Sequence, residues 1–326
     1  MSTKKGIQLD LKDKKILYEL DFHARQPYSE IAKKVGLSKQ VVEYRINNLI
    51  NRGIIQRFYP VISMPKLGYT YCRLAITLQN INREEFNEIL DDLKKDPRVF
   101  WLFEMQGSFD LMLALWTNQL NDFRKYSEEF MAKYARFVKK KTEHIATDVI
   151  HYQNRYLLGK NATEDIHLAE TSIRSQIDEL DKSILSLLCD DARMSLVDLG
   201  QRTKQSAKTV AYRIRRMERI RLIECYRASI DHTKLGFTYY KLMVNISNFN
   251  SQELKRIKEY IKNNPHTIYI VEGISLHADL DFEMMIKSNQ DLFDFIKNLR
   301  EQFPRIVGDY STIIFMHEHK VKYLPF

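Results

Sequence analysis

The chain has 326 residues, 44% hydrophobic and 29% charged, which is the profile of a folded protein and excludes a disordered one. Its 51 Lys and Arg exceed 42 Asp and Glu to leave +9, an excess that suits a polyanionic partner but does not say where the charge lies. No run approaches the roughly 18 apolar residues of a membrane span. Residues 1–9 carry no signal-peptide core, and the three scattered cysteines (Cys72, Cys189, Cys225) fit neither a disulfide framework nor a zinc motif, so a cytoplasmic setting is expected, with no membrane partner.

Residues 11–23 place Leu11, Ile16, Leu17 and Leu20 on one helical stripe. A short second helix follows over 28–35, and Gly36 supplies a turn. Ser38 suits the N-cap of a third helix whose apolar face is Val42, Ile46 and Leu49. Gly53 ends that helix, and 54–62 reads as a β-wing. From Tyr69 the period changes: strands over 71–78, 99–105, 110–117 and 143–152 alternate with helices over 83–95 and 121–137. That order is βαββαβ, a ferredoxin-like αβ sandwich.

The pattern then recurs. Residues 11–71 align without a gap on 179–239, matching Asp13/Asp181, Ala24/Ala192, Arg25/Arg193, Ser38/Ser206, Val42/Val210, Tyr44-Arg45-Ile46/Tyr212-Arg213-Ile214 and Lys66-Leu67-Gly68/Lys234-Leu235-Gly236. Roughly twenty identities in about sixty positions, where chance gives about four, mark a duplication. The expected fold class is α+β, two tandem units of winged helix-turn-helix plus αβ sandwich. Heads are expected at 1–60 and 173–228, sandwiches at 61–158 and 229–326, with a linker at 159–172. In the sandwiches Pro97/Pro265 and Glu104/Glu272 correspond, then Asp110/Asp281 after about three extra residues in the later copy.

A third helix after a glycine turn is the element that enters the major groove of double-stranded DNA. With Val42, Ile46 and Leu49 inward, Lys39, Gln40, Glu43, Tyr44 and Asn47 face out, beside Ser38 and Arg45. Gln and Asn match adenine, Lys reaches guanine or phosphate, and Glu accepts from cytosine. The second copy offers Ser206, Ala207, Lys208, Ala211, Tyr212, Arg213, Arg215 and Arg216, so basic residues gather where a duplex would lie.

These residues, with "KLGY" at 66–69 and "GSFDLMLAL" at 107–115, make both copies resemble the Lrp/AsnC (feast/famine) regulators over nearly the whole chain. The resemblance implies a winged helix-turn-helix joined to a sandwich that pairs through its sheet. Here that pairing falls within the chain or between chains. It also implies an amino acid or related effector near a G-x-x-D motif, matched by Gly107, Ser108, Phe109 and Asp110. Alternatively, those four residues only build a hairpin turn. The second copy departs from the pattern. Lys204 replaces Gly36, and "HADLD" (277–281) has Ala278 where Gly107 sits. Two different reading helices in one chain imply an asymmetric operator.

No G-x-S-x-G, Walker or H-E-x-x-H motif occurs, so no catalytic residue, metal or cofactor is expected. His317-Glu318-His319 has the spacing of a ligand pair on one strand face, without an evident third ligand. An enzymatic alternative remains, because siroheme decarboxylases are similar in architecture. Their His, Tyr and Arg cluster has few counterparts in "VFWLFEMQGSFD" (99–110) or around His277.

Overall fold

The computed structural model describes residues 6–160, 164–171, 173–248, 250–275 and 278–326. The first head is α1 (Leu11–Leu20), α2 (Tyr28–Val35) and α3 (Lys39–Asn51). Asp10 caps α1 by accepting the Asp13 amide at 2.7 Å, and Ser38 caps α3 through the Val41 amide. Gly36 ends α2 in the left-handed region at φ 67°, a conformation that costs a side-chain-bearing residue roughly 1–2 kcal/mol. Val42, Ile46 and Leu49 are buried against Ile16, Leu17 and Ile31, as their spacing predicted.

β1 (Ile55–Ile62) leaves this head and leads to the first sandwich: β2 (Thr70–Leu78), α4 (Arg83–Lys95), β3 (Val99–Gln106), β4 (Leu111–Thr117), α5 (Leu120–Tyr134) and β5 (Val138–Tyr152). The segment expected to be the linker contains β6 (Asp165–His167), which adds to β5, while residues 161–163 and 172 of it lie outside the described residues. The second head is α6 (Glu179–Asp190), α7 (Leu196–Thr203) and α8 (Ala207–Arg219). There Lys204 holds the left-handed position, φ 54°, that Gly36 fills in the first. β7 (Ile223–Ile230) leads to β8 (Thr238–Ile246), α9 (Ser251–Asn263), β9 (Thr267–Ser275), β10 (Leu280–Ile286), α10 (Asn289–Gln302) and β11 (Val307–Val321).

Neither wing folds on its own head. β1 pairs antiparallel with β7 of the other copy, Phe58 opposite Ala228 and Pro60 opposite Tyr226, so a two-stranded ribbon ties the heads together. One apolar cluster runs through both, from Ile16 and Ile46 to Ile184, Ile214 and Met217.

The eight sandwich strands form a closed ring: β2, β4, β3, β11, β8, β10, β9 and β5, with β5 returning to β2. The copies meet edge to edge, with Met105 opposite Phe315 and Ile150 opposite Ile270. Closure leaves these eight strands no free edge for another chain to extend. Side chains alternate across the wall. Cys72, Leu74 and Ile76 pack on α4 and α5 outside, whereas Ala75, Met105, Met112, Met243, Ile313 and Phe315 fill the interior.

Charge is buried inside the ring as well. Arg73 donates to Asp281 at 2.7 Å, and Lys241 bridges Asp281 and Glu283, joining strands of both copies. Burial alone would raise the Asp281 carboxyl, but Lys241 and Arg73 hold it at about 2. Broken on one side, such a cluster would leave an uncompensated charge costing roughly 3–5 kcal/mol.

Candidate nucleic-acid interface

The outward face of α3 is free. Lys39, Gln40, Glu43 and Asn47 are exposed, Tyr44 retains 69% of its surface, and no described hydrogen bond or ion pair engages their side chains. On α8, Lys208 and Arg215 are likewise exposed, and Tyr212 retains 62%. The faces differ in chemistry: one lysine with two carboxamides and a carboxylate on α3, cations and alanines on α8. Ser38 and Ser206 commit their hydroxyls to the Val41 and Thr209 amides, which places both at the tips of their helices as caps.

Three arginines expected to meet DNA are instead tied down within their heads. Arg45 donates to Asp10 at 2.8 Å and Asp13 at 2.7 Å. Its counterpart Arg213 does the same with Asp178 and Asp181, and Arg216 adds a bond to Asp181 at 3.1 Å. The Asp13 amide first, and Arg45 with it, lower the Asp10 carboxyl. These guanidiniums brace the third helix to the cap of the first. Arg45 and Arg213 occupy equivalent positions of the two copies, whereas Arg216 has Asn48 as its counterpart.

The heads are also fixed to each other. The Ala24 amide bonds the Tyr226 carbonyl at 2.8 Å and the Ala192 amide the Phe58 carbonyl at 3.0 Å, a pseudo-twofold exchange through the ribbon. One further link is asymmetric. Asp21, fully buried, receives Arg227 at 2.6 and 3.0 Å and the Asn154 amide at 2.6 Å, joining the first head to the second copy's wing and to the end of β5. The repeat places Cys189 and Tyr59 at the equivalent positions, so only one half carries this ion pair.

The G-x-x-D segment is structural in its first role. The Asp110 carboxylate accepts the Leu78 amide at 2.6 Å, Thr77 Oγ1 donates to the Ser108 carbonyl, and Phe109 is buried inside the ring. Gly107 has φ 133°, and a Cβ there would lie 2.7 Å from the Thr312 carbonyl of β11, so the other copy's backbone demands glycine. The equivalent of Asp110 is Asp279, whose carboxylate accepts the Ile246 amide at 2.6 Å. Asp281, matched to Asp110 from the sequence, belongs to the buried cluster instead, because the later copy has one extra residue here and not three. His277 lies outside the described residues. Of the His-Glu-His run, His319 bonds Glu104 at 3.1 Å, while the pairing of β11 with β3 shifts register between Glu318 and Lys320.

Sequence reasoning noted that Arg25 and Arg193 are identical but assigned them no role. Each reaches across the copy boundary to backbone carbonyls of the other head. The available signal was the persistence of the pair Ala24-Arg25/Ala192-Arg193 between flanks that had diverged.

Two helix-turn-helix heads on a shared ribbon, each with an open third helix, define a double-headed winged helix-turn-helix DNA-binding protein. Residues 9–56 match the pattern described as winged helix-turn-helix DNA-binding, and 177–218 that of the AsnC-type helix-turn-helix domain. The chain belongs to the Lrp/AsnC family and is a DNA-binding transcription regulator of that type. It is 35% identical over 122 residues to the transcriptional regulator AzlB of Bacillus subtilis, which covers 37% of this chain and 78% of that protein. It is 30% identical over 151 residues to the proline dehydrogenase transcriptional activator of Rhodobacter capsulatus, covering 45% and 95% respectively. Among solved structures the siroheme decarboxylase NirDL has a TM-score of 0.61 at 15% identity, covering 97% of this chain and 94% of that one; the likeness is one of fold. No helix among the described residues is long and apolar enough to cross a membrane.

Proposed function

We propose that one polypeptide does the work of a regulator dimer and reads an asymmetric operator, with α3 and α8 in successive major grooves. The observation that carries this reading is the pair of unlike open faces, Gln40, Glu43 and Asn47 against Lys208 and Arg215, held by one ribbon. The α3 face suits base-edge hydrogen bonding, and the α8 face suits guanine and phosphate. The protein acts in the cytoplasm, a setting in keeping with its three free cysteines.

An amino-acid effector at Gly107–Asp110 belongs to the reading through two features. Ser108 is exposed, and the bond described for the Asp110 carboxylate uses only one of its two oxygens. Anisotropy with labelled mixed-sequence duplex at low salt tests DNA binding, and its repetition with each common amino acid tests the effector. Absence of binding at low salt would reject the regulator reading. The decarboxylase alternative draws only on the full-length likeness of fold to NirDL. Incubation with siroheme and mass analysis of the product separates the two.

A further inference from the structure

Between the β1/β7 ribbon and the mouth of the ring lies a cavity of about 1740 Å3. Pockets for drug-sized ligands span roughly 300–1,000 Å3, so this one admits a larger molecule. Its walls are aromatic and flat. Tyr59 stacks on Tyr323 with centroids 4.7 Å apart, Phe100 stacks on Trp116 at 4.5 Å, and Tyr71 leans on both members of the second pair.

The polar part of the lining is unbalanced. Arg73 and Arg227 are neutralised by Asp281 and Asp21. On the acidic side, Glu283 is engaged by Lys241 and Tyr239, and Asp231 caps the turn after β7. Burial raises the Glu318 carboxyl, against the pull of Arg57 3.8 Å away. Lys14 and Lys287 also line the cavity without an ion pair among the described residues. Two donors, Arg57 Nε and Trp116 Nε1, are buried and make no hydrogen bond among the described residues.

We propose that this cavity binds a flat, conjugated polyanion whose occupancy is transmitted to the DNA-reading heads. The rings supply faces for stacking. Arg57, Lys14 and Lys287 supply positive charge for its anionic oxygens. The residues Gly107, Ser108, Phe109 and Asp110 take no part in the lining, so the site is distinct from the G-x-x-D turn. Coupling follows from the ribbon. Gln56, Arg57 and Tyr59 of β1 and Arg227, Ala228 and Ser229 of β7 all face the cavity, and each strand begins directly after its reading helix. A ligand that binds one head arrangement better than another shifts DNA affinity by the same factor that DNA shifts its own.

The coupling clause rests on the regulator reading, whereas binding is measured without DNA. Both tryptophans of the chain, Trp101 and Trp116, line the cavity, so intrinsic fluorescence reports on it directly. The full chain is titrated with pyrene-1,3,6,8-tetrasulfonate, with N-acetyltryptophanamide as the quenching reference and citrate as a non-aromatic polyanion. Saturable quenching that citrate does not displace is expected. Arg57→Gln and Lys287→Gln should each weaken it about tenfold, the scale of one charge-assisted bond, and Lys133→Gln on α5 should leave it unchanged. Quenching no greater than the reference, or equal affinity in Arg57→Gln and the parent, overturns the site. In a protein that binds duplex, saturating probe should change DNA affinity about fivefold or more; no change overturns the coupling. If the probe binds but duplex does not, the regulator reading fails and the site stands.

Discussion

Arg25 and Arg193 are equivalent residues of the two copies, and each donates to the backbone that carries the other. Arg25 bonds the Ala192 and Met194 carbonyls at 2.5 and 2.9 Å, and Arg193 bonds those of Ala24 and Gln26. The exchange fixes the distance and angle between the two reading helices before DNA arrives, so half-site spacing is a property of the protein.

Arg25→Ala or Arg193→Ala therefore removes charge-assisted bonds worth roughly 1.5–3 kcal/mol. Denaturant unfolding should register that loss. Binding to duplexes of graded half-site spacing should become less selective, while base preference within each half-site is retained. A variant as selective for spacing as its parent would contradict the clamp.

Substitutions on the open faces should act differently from each other. Lys39→Ala and Gln40→Ala remove base-edge contacts, costing about 1–3 kcal/mol each on the best site and relaxing one half-site only. Arg215→Ala should weaken all duplexes alike and reduce the salt slope by about 1. Anisotropy across a salt series distinguishes these signatures.

Arg45→Ala belongs to a third kind. Arg45 is bonded to Asp10 and Asp13, and exposed or half-exposed pairs contribute about 0.2–1 kcal/mol. Stability should fall by that amount with the salt slope unchanged. A lowered slope at unchanged stability would return Arg45 to the phosphate backbone.

Acid sensitivity follows from histidines held neutral. Burial first, then Arg227, lowers His232 from 6.5 to about 3, and Tyr156 Oη sits 2.5 Å from its Nδ1. The unfolded chain takes up this proton first, so the contribution is complete above about pH 6.5. It is lost progressively as pH falls towards 3, at about 1.4 kcal/mol per pH unit. His232→Asn should make the decline in unfolding free energy between pH 6 and pH 4 shallower by that slope. A decline parallel to the parent's would mean the folded protein already carries the proton.

Local periodicity made much of this legible. The inward set Val42, Ile46 and Leu49, the cap Ser38 and the βαββαβ order all arise from neighbouring residues, and the structure has them where spacing placed them. What escaped was contact between copies. Nothing near residues 54–62 says that the wing pairs with residues 223–230, and nothing near Arg45 says its partners lie 35 and 32 positions away. The match of Asp281 to Asp110 failed for a related reason, since only the bonds to Leu78 and Ile246 identify which aspartate closes each turn. Lys204 is the opposite case. It stands in the place of the turn glycine Gly36, and it keeps that residue's left-handed conformation at φ 54°.

Selection of bound duplexes from a random pool by the full chain, run beside the Lys39→Ala, Gln40→Ala double variant, tests the central claim most directly. The account predicts two unlike half-sites at one fixed spacing, with only one of them blurred in the variant. A perfect inverted repeat that both proteins enrich equally would contradict it.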